Sequence, residues 1–89
     1  MKALLHKTAE KYLNRLTATD QDCINNAIDE LEKDPPQGNI EPVIGQPGRF
    51  RTRVGSYRLL WRIKEDHILV THIDPRGQVY KKKNKGNKR

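Results

Sequence analysis

Hydrophobic and polar residues alternate strictly from position 49 to position 54. Arg49, Arg51 and Arg53 are interleaved with Phe50, Thr52 and Val54. This two-residue period predicts a β-strand with one solvated face and one buried face. Gly55-Ser56 follows, and glycine can adopt the positive φ that a type II′ hairpin requires at its first central position. A second strand is therefore predicted to begin at Tyr57.

Counting outward from this turn predicts the pairing of the two strands. Val54 faces Tyr57, and the last pair is Arg49 opposite Arg62. One face of the hairpin then carries the arginines at positions 49, 51, 53, 58 and 62. The other face carries Phe50, Val54, Tyr57, Leu59 and Trp61. We expect helices to cover the apolar face and to leave the arginine face open.

Apolar residues recur at the i, i+3, i+4, i+7 spacing of a helix in two earlier stretches. The first stretch comprises Ala9, Tyr12, Leu13 and Leu16, and Thr8 is its predicted cap. The second stretch comprises Ile24, Ala27, Ile28 and Leu31, and its helix opens at Thr19. Two amphipathic helices are predicted, and Asp34-Pro35-Pro36 ends the second, because proline disfavours helical geometry in the residue before it. Cys23 is expected at a buried helical position.

Short strands complete the predicted fold. Lys2–His6 opens the chain, and His67–Asp74, which is apolar on both sides, is expected near the centre of the sheet. Residues 37–48, with two prolines and three glycines, are predicted to be a connecting loop. The order is therefore β-α-α-β-β-β. This order predicts an α+β fold in which a helical hairpin packs on a small, mainly antiparallel sheet.

Charge is distributed unevenly over the 89 residues, a length that suits one domain. The formal net charge is +7, but residues 81–89 alone carry six lysines and arginines and no acid. Residues 1–80 carry twelve basic groups against eleven acidic ones. We predict one domain over residues 1–80 and a disordered basic tail over residues 81–89.

Several classes of protein are disfavoured by what the chain contains. Cys23 is the single cysteine, which precludes an intrachain disulfide and suits a reducing compartment. There is no apolar run of membrane length, so a cytoplasmic protein without a membrane partner is expected. His6, His67 and His72 show no metal-ligand spacing, and no P-loop, Ser/His/Asp set or catalytic carboxylate pair is recognisable. We therefore predict neither a metal nor a small-molecule cofactor.

The arginine face suggests chemistry on phosphates. Like charges directly opposite each other destabilise a sheet, and alternating signs would keep the face equally soluble. An exposed, merely solvated strand face is the alternative interpretation. Arginine stays protonated and binds phosphate oxygens bidentately, but for the same reason it cannot ordinarily serve as a general base. It can stabilise the transition state of RNA cleavage, in which the 2′-OH of the substrate is the nucleophile.

The order of elements, with Arg-Thr-Arg-Val-Gly-Ser-Tyr-Arg-Leu-Leu-Trp at positions 51–61 and Asp-Pro-Arg-Gly-Gln-Val-Tyr at 74–80, resembles the RelE/ParE toxin superfamily of toxin–antitoxin systems. The resemblance covers essentially residues 1–80. In the RelE branch it implies a metal-independent endoribonuclease, or mRNA interferase, that cleaves mRNA in the ribosomal A site through the 2′-OH. It also implies two partners, a cognate antitoxin and the ribosome.

The resemblance also implies roles for individual residues. Arg58 matches the arginine that stabilises the scissile phosphate in the RelE branch. Arg76 matches the arginine that assists the leaving 5′-oxygen, and Tyr80 matches the tyrosine that stacks on or orients the base. Arg49 and Arg51 replace two lysines, one of them the proposed general base. We therefore expect electrostatic activation of the 2′-OH, or a ribosomal group, to substitute for that base. The catalytic set is Arg51, Arg58, Arg76 and Tyr80, and the RNA-binding set is Arg49, Arg53, Arg62, Lys81, Lys82 and Lys83.

Alternatives exist for single residues and for the whole chain. Tyr80 can instead close the edge of the core, and Arg76 can serve only the turn. The ParE branch of the superfamily inhibits DNA gyrase without cutting RNA. A catalytically silent member would act only with its antitoxin, as an operator-binding complex.

Overall fold

The structure, a computed structural model, describes residues 1–75, and these form two helices on one face of a five-stranded sheet. The strands are β1 (Lys2–Leu5), β2 (Ile40–Pro42), β3 (Arg49–Val54), β4 (Tyr57–Lys64) and β5 (His67–Pro75). The helices are α1 (Lys7–Asn14) and α2 (Ala18–Leu31). The predicted domain boundary at residue 80 and the predicted tail over residues 81–89 lie outside the described residues.

The sheet has the strand order β1-β5-β4-β3-β2. β1 pairs with β5 in parallel, and every other neighbouring pair is antiparallel. The predicted α+β class, the mainly antiparallel sheet and the position of β5 inside it are therefore confirmed. β5 lies between β1 and β4, which explains why it is apolar on both sides.

The predicted β3–β4 register is confirmed at all six pairs, from Val54 opposite Tyr57 to Arg49 opposite Arg62. Gly55 has a φ of 56°, the positive value that the turn requires at its first central position. Because strand side chains alternate between faces, this register places all five arginines on one side of the sheet.

The prediction of a connecting loop over residues 37–48 is wrong for its central part. Ile40–Pro42 forms β2, an edge strand that pairs with β3 through Glu41 opposite Arg51. Pro42 lacks an N–H group, but an edge strand tolerates proline where no ladder hydrogen bond is needed. A strand of three residues is too short to show a two-residue period in the sequence.

Both helices begin earlier than predicted. α1 has His6 as its N-cap, with Nδ1 accepting a hydrogen bond from the Thr8 backbone N–H at 3.2 Å. α2 has Thr17 as its N-cap, and its hydroxyl accepts from the Asp20 N–H at 3.2 Å. Side-chain acceptors at these positions satisfy N–H groups that have no partner inside the helix.

The core lies between the helices and the sheet. Its members are Ala9, Leu13, Ile24, Ile28 and Leu31 from the helices and Leu59, Trp61, Ile68, Val70 and Ile73 from the sheet. Among residues 1–75 the buried polar residue is Thr52, and its hydroxyl accepts a hydrogen bond from Trp61 Nε1 at 2.9 Å. We call this side of the sheet the closed face.

Cys23 is exposed, so the prediction of a buried position is wrong. It directly precedes Ile24, which is fully buried. Adjacent helical residues are separated by about 100° around the axis, so a neighbour of a core residue can point to solvent.

Candidate functional site

The face of the sheet that carries no helix, here called the open face, holds five arginines from β3 and β4. Arg53 lies directly opposite Arg58, Arg49 lies directly opposite Arg62, and Arg51 lies opposite Leu60. The structure thus brings together all the predicted site residues that fall within residues 1–75. Two like-charged pairs on one hairpin form a strongly positive surface.

Glu41 on β2 holds two of these arginines. Its Oε1 accepts a hydrogen bond from Arg51 Nε at 3.2 Å, and its Oε2 lies 3.5 Å from Arg53 Nη2. All three side chains are partly open to solvent, with 34% of Arg51, 44% of Arg53 and 37% of Glu41 exposed. One carboxylate on the arginine face is therefore within reach of whatever these arginines bind.

Sequence reasoning missed Glu41 because the residues around it were assigned to a loop. Three residues show no period, and Pro42 is only compatible with an edge strand, so the sequence carries no clear signal for Glu41. Pairing with Arg51 then places Glu41 on the open face.

Arg58 and Arg62 are packed differently from Arg51 and Arg53. Their Nε atoms are buried and have no hydrogen-bond partner within residues 1–75. A half-buried arginine stem has less rotational freedom than an exposed one, so the guanidinium group loses less entropy when it binds an anion. These two side chains are therefore better pre-organised than a freely solvated arginine.

Two adjoining cavities open on this side of the sheet, with volumes of about 200 and 270 Å³. Both are lined by Arg49, Arg62, Thr71 and His72. The first is also bounded by Val43, Gln46, Phe50, Leu60 and Trp61. By the strand register Leu60 lies on the open face, whereas Phe50 and Trp61 belong to the closed face. The second is also bounded by His6, Thr8 and Leu69.

Two tyrosines on the closed side have perturbed acidities. The Tyr57 hydroxyl donates a hydrogen bond to Asp20 at 2.8 Å, and this bond, with burial, raises the pKa of Tyr57 to about 12. Burial, followed by the negative charges of Asp74 and Asp20, raises the pKa of Tyr12. Both tyrosines keep their protons at neutral pH, so they connect the helices to β4 rather than accept protons.

Five of the predicted site residues, Arg76, Tyr80, Lys81, Lys82 and Lys83, lie outside the described residues. Within residues 1–75, no group of three or more His, Cys, Asp or Glu side chains could hold a metal ion. In that same part of the chain, neither helix has the length and apolar character needed to cross a membrane.

Solved structures of several toxins resemble this fold. A chain of the RelB–RelE antitoxin–toxin complex from Methanococcus jannaschii matches with a TM-score of 0.71 at 23% identity, covering 89% of this chain and 96% of that one. The isolated RelE toxin of E. coli matches with a TM-score of 0.72 at 18% identity, covering 96% of each chain. The chromosomal ParDE toxin–antitoxin system of P. aeruginosa matches with a TM-score of 0.53 at 12% identity, covering 84% of this chain and 95% of that one. At these identities the likeness establishes the fold.

Sequence comparison assigns the family. A comparison with curated proteins gives no match. The family model described as the ParE toxin of type II toxin–antitoxin system, parDE, matches residues 3–80. Because that match spans most of the sequence, the chain belongs to the ParE toxin family of type II toxin–antitoxin systems, within the RelE/ParE superfamily.

Proposed function

We propose that this toxin is a ribosome-dependent endoribonuclease that cleaves mRNA in the A site. The observation that carries the proposal is the open face, where five arginines of β3 and β4 share one side of the sheet and Glu41 contacts two of them. Such a face binds a phosphodiester and stabilises the additional negative charge of a pentacoordinate transition state. E. coli RelE and the P. aeruginosa ParDE system both share the fold, with TM-scores of 0.72 and 0.53, so the proposal rests on the arginines and not on the fold.

The reaction needs a proton acceptor, and Glu41 supplies one. Arginine has no neutral form at pH 7, whereas an ionised carboxylate only accepts hydrogen bonds and protons. In the proposed step, Glu41 takes the proton of the 2′-OH, the 2′-oxygen attacks the phosphorus, and the bond to the 5′-oxygen breaks. The products are a 2′,3′-cyclic phosphate and a 5′-hydroxyl end, and water protonates the leaving oxygen.

The arginines have separate roles in the proposed reaction, according to their positions. Arg58 contacts the scissile phosphate, and Arg51, held by Glu41, orients the 2′-OH beside it. Arg76 stabilises the charge that develops on the leaving 5′-oxygen, and Tyr80 stacks on a base of the substrate. Arg49, Arg53 and Arg62, together with Lys81, Lys82 and Lys83, bind the RNA backbone.

The positive charge of the open face also provides a way to inhibit the toxin. The resting cell needs a cognate antitoxin, and an acidic or apolar antitoxin segment on this sheet would relieve the repulsion among the arginines. The matched structures from M. jannaschii and Pyrococcus horikoshii are complexes of RelE with RelB.

The decisive experiment maps mRNA 5′ ends after induction of the toxin, and breaks inside translated codons are expected. The double variant Arg58→Ala, Arg76→Ala should abolish these breaks. Glu41→Gln should slow cleavage of ribosome-bound message by about 10²- to 10⁴-fold, the usual contribution of a general base. The matched control is Arg15→Ala, which removes an exposed arginine at the C-cap of α1 and should cleave normally. Undiminished cleavage by the double variant would overturn the assignment.

Gyrase inhibition is the second candidate, because the matching family model is the ParE model. A supercoiling assay with purified gyrase separates the two functions. Inhibition of supercoiling without any RNA cleavage would establish the gyrase function in place of the ribonuclease.

A further inference from the structure

The open face has a second cationic centre, away from the Glu41–Arg51–Arg58 region. Arg49 and Arg62 lie opposite each other and line both cavities. Along β4, Arg62 is four residues from Arg58, which corresponds to about 13 Å at ~3.3 Å per residue. The two centres are therefore anchored at different points along the strand.

Local distortions of the backbone build this centre. β4 and β5 shift register between Leu60 and Trp61, which leaves Thr71 without a partner in the ladder. The Thr71 hydroxyl donates to the Leu60 carbonyl at 3.1 Å, and His72 lies opposite Leu60 on the open face. Bulges of this kind commonly redirect side chains beside functional sites.

The start of α1 brings further donors to the same place. The backbone N–H of His6 donates to the Val70 carbonyl at 2.9 Å, which holds the end of β1 against β5. Nδ1 of His6 accepts from the Thr8 N–H at 3.2 Å, so the neutral ring carries its proton on Nε2. His6 is thereby fixed as a hydrogen-bond donor at the wall of the second cavity.

Charge distinguishes this centre from the one that holds Glu41. Among residues 1–75, no carboxylate lies within 4.0 Å of a guanidinium nitrogen of Arg49 or Arg62, whereas Arg51 and Arg53 both contact Glu41. The described residues that line the two cavities include no aspartate or glutamate. The repulsion between Arg49 and Arg62 is therefore not relieved by an acidic side chain of this part of the chain.

We propose that these two cavities, which we call the phosphate groove, bind a nucleotide of the substrate RNA that flanks the scissile phosphodiester. Its phosphate contacts Arg49, Arg62, His72 and His6. Its base lies against Val43 and Leu60 in the first cavity, where the Gln46 amide can hydrogen-bond the edge of the base. An acidic peptide would use the same cations but would leave this apolar wall unused. The inference rests on the proposed function, because it takes RNA as the substrate.

Binding of a non-cleavable oligonucleotide tests the groove separately from catalysis. The probes are an all-2′-deoxy tetranucleotide and its analogues in which one phosphate at a time is a neutral methylphosphonate, with binding to the full chain measured at low salt. The analogue whose methylphosphonate lies next to the position of the scissile linkage should bind wild type about tenfold more weakly than the unmodified tetranucleotide does. The Arg62→Gln variant should bind the unmodified probe more weakly than wild type does, by a similar factor. This variant should bind that analogue and the unmodified probe with equal affinity.

Salt dependence gives a second readout. Arg62→Gln removes one cationic contact with a phosphate of the single strand. The slope of log K against log salt concentration should therefore be smaller by ~0.7 for this variant than for wild type. His72→Gln, at an exposed position that does not endanger folding, should show the same loss of sensitivity to that analogue. Arg15→Gln is the charge-matched control outside the groove and should behave as wild type.

The outcomes distinguish this inference from the proposed function. If every analogue lowers the affinity of Arg62→Gln by the same factor as that of wild type, the groove does not bind a phosphate. The inference then fails, even where mRNA cleavage is confirmed. If hexaglutamate binds wild type more tightly than the tetranucleotide does, and Arg62→Gln abolishes that binding, the groove is a peptide site. If the predicted pattern appears in a chain that cuts no mRNA, the groove stands and the ribonuclease proposal fails.

Discussion

The two faces of the β3–β4 hairpin are built from the same strands but meet opposite requirements. On the closed face, Leu59 is fully buried and Trp61 is 3% exposed. On the open face, arginines lie opposite arginines, and the buried Nε atoms of Arg58 and Arg62 have no partner within residues 1–75. One face is arranged for folding stability, and the other keeps unfavourable contacts that an anionic partner would relieve. Stability and function can therefore be tested on adjacent residues of one strand.

The largest difference is expected between two neighbouring leucines. Leu59→Ala removes a fully buried side chain and should lower the free energy of unfolding by about 2 to 5 kcal/mol, the range for truncation in a core. Leu60→Ala makes the same chemical change on the open face, where the side chain is half-buried, and should cost about 1 kcal/mol. Urea denaturation measures both values. Equal losses would mean that the open face is packed as tightly as the core.

The next effect concerns the buried polar pair of the closed face. Thr52→Val keeps the shape of the side chain but leaves Trp61 Nε1 without its acceptor, which should cost about 1 to 3 kcal/mol. Thr52→Ser is the matched control, because it keeps the hydroxyl and loses only a methyl group, a change worth about 0.8 kcal/mol. If the valine variant unfolds at a higher urea concentration than the serine variant, the hydrogen bond does not stabilise the core.

A smaller effect, with a defined pH window, is expected at the hydrogen bond between Tyr57 and Asp20. Tyr57→Phe should cost about 1 kcal/mol at neutral pH. The folded pKa of about 12 exceeds the ordinary value of 10.0, so the stabilisation is complete below about pH 10 and declines as pH rises toward 12. Thermal unfolding of both proteins from pH 8 to 11.5 should show the difference shrinking only above pH 10. A constant difference would mean that Tyr57 titrates normally.

The sequence was most informative where a local pattern determines the geometry. The period of two at positions 49–54 and the single turn at Gly55-Ser56 were enough to predict every β3–β4 pair and hence the shared face of the arginines. The helical stripes were predicted for a similar reason, because Ile24, Ile28 and Leu31 repeat at the helical period and are buried. A register of this kind depends only on residues close together in the chain.

Features that depend on distant residues were missed. Glu41 reaches the arginines only because a three-residue edge strand forms, and its sequence shows no period. The phosphate groove needs the β5 register shift at Thr71 and the parallel pairing of β1, which brings His6 beside the strand that carries His72. Neither is encoded in a local motif. Tertiary packing decides both, so single-sequence patterns could not predict them.

The smallest expected effect tests whether the open face sacrifices stability for binding. Arg49→Gln removes one member of the Arg49–Arg62 pair and should stabilise the fold by about 0.2 to 1 kcal/mol, since like charges directly opposite on a sheet repel each other. Arg53→Gln is the matched control. It also relieves a like-charged pair, but it loses the contact with Glu41 at 3.5 Å, so its stability should stay near that of wild type. The gain at position 49 should fade between 0.01 M and 1 M salt, because the Debye length falls from about 30 Å to 3 Å. A gain that does not change with salt would assign the effect to strand propensity instead of charge. A loss of stability would show that Arg49 has a stabilising partner, and the open face would then lack the repulsion that favours the binding of an anion.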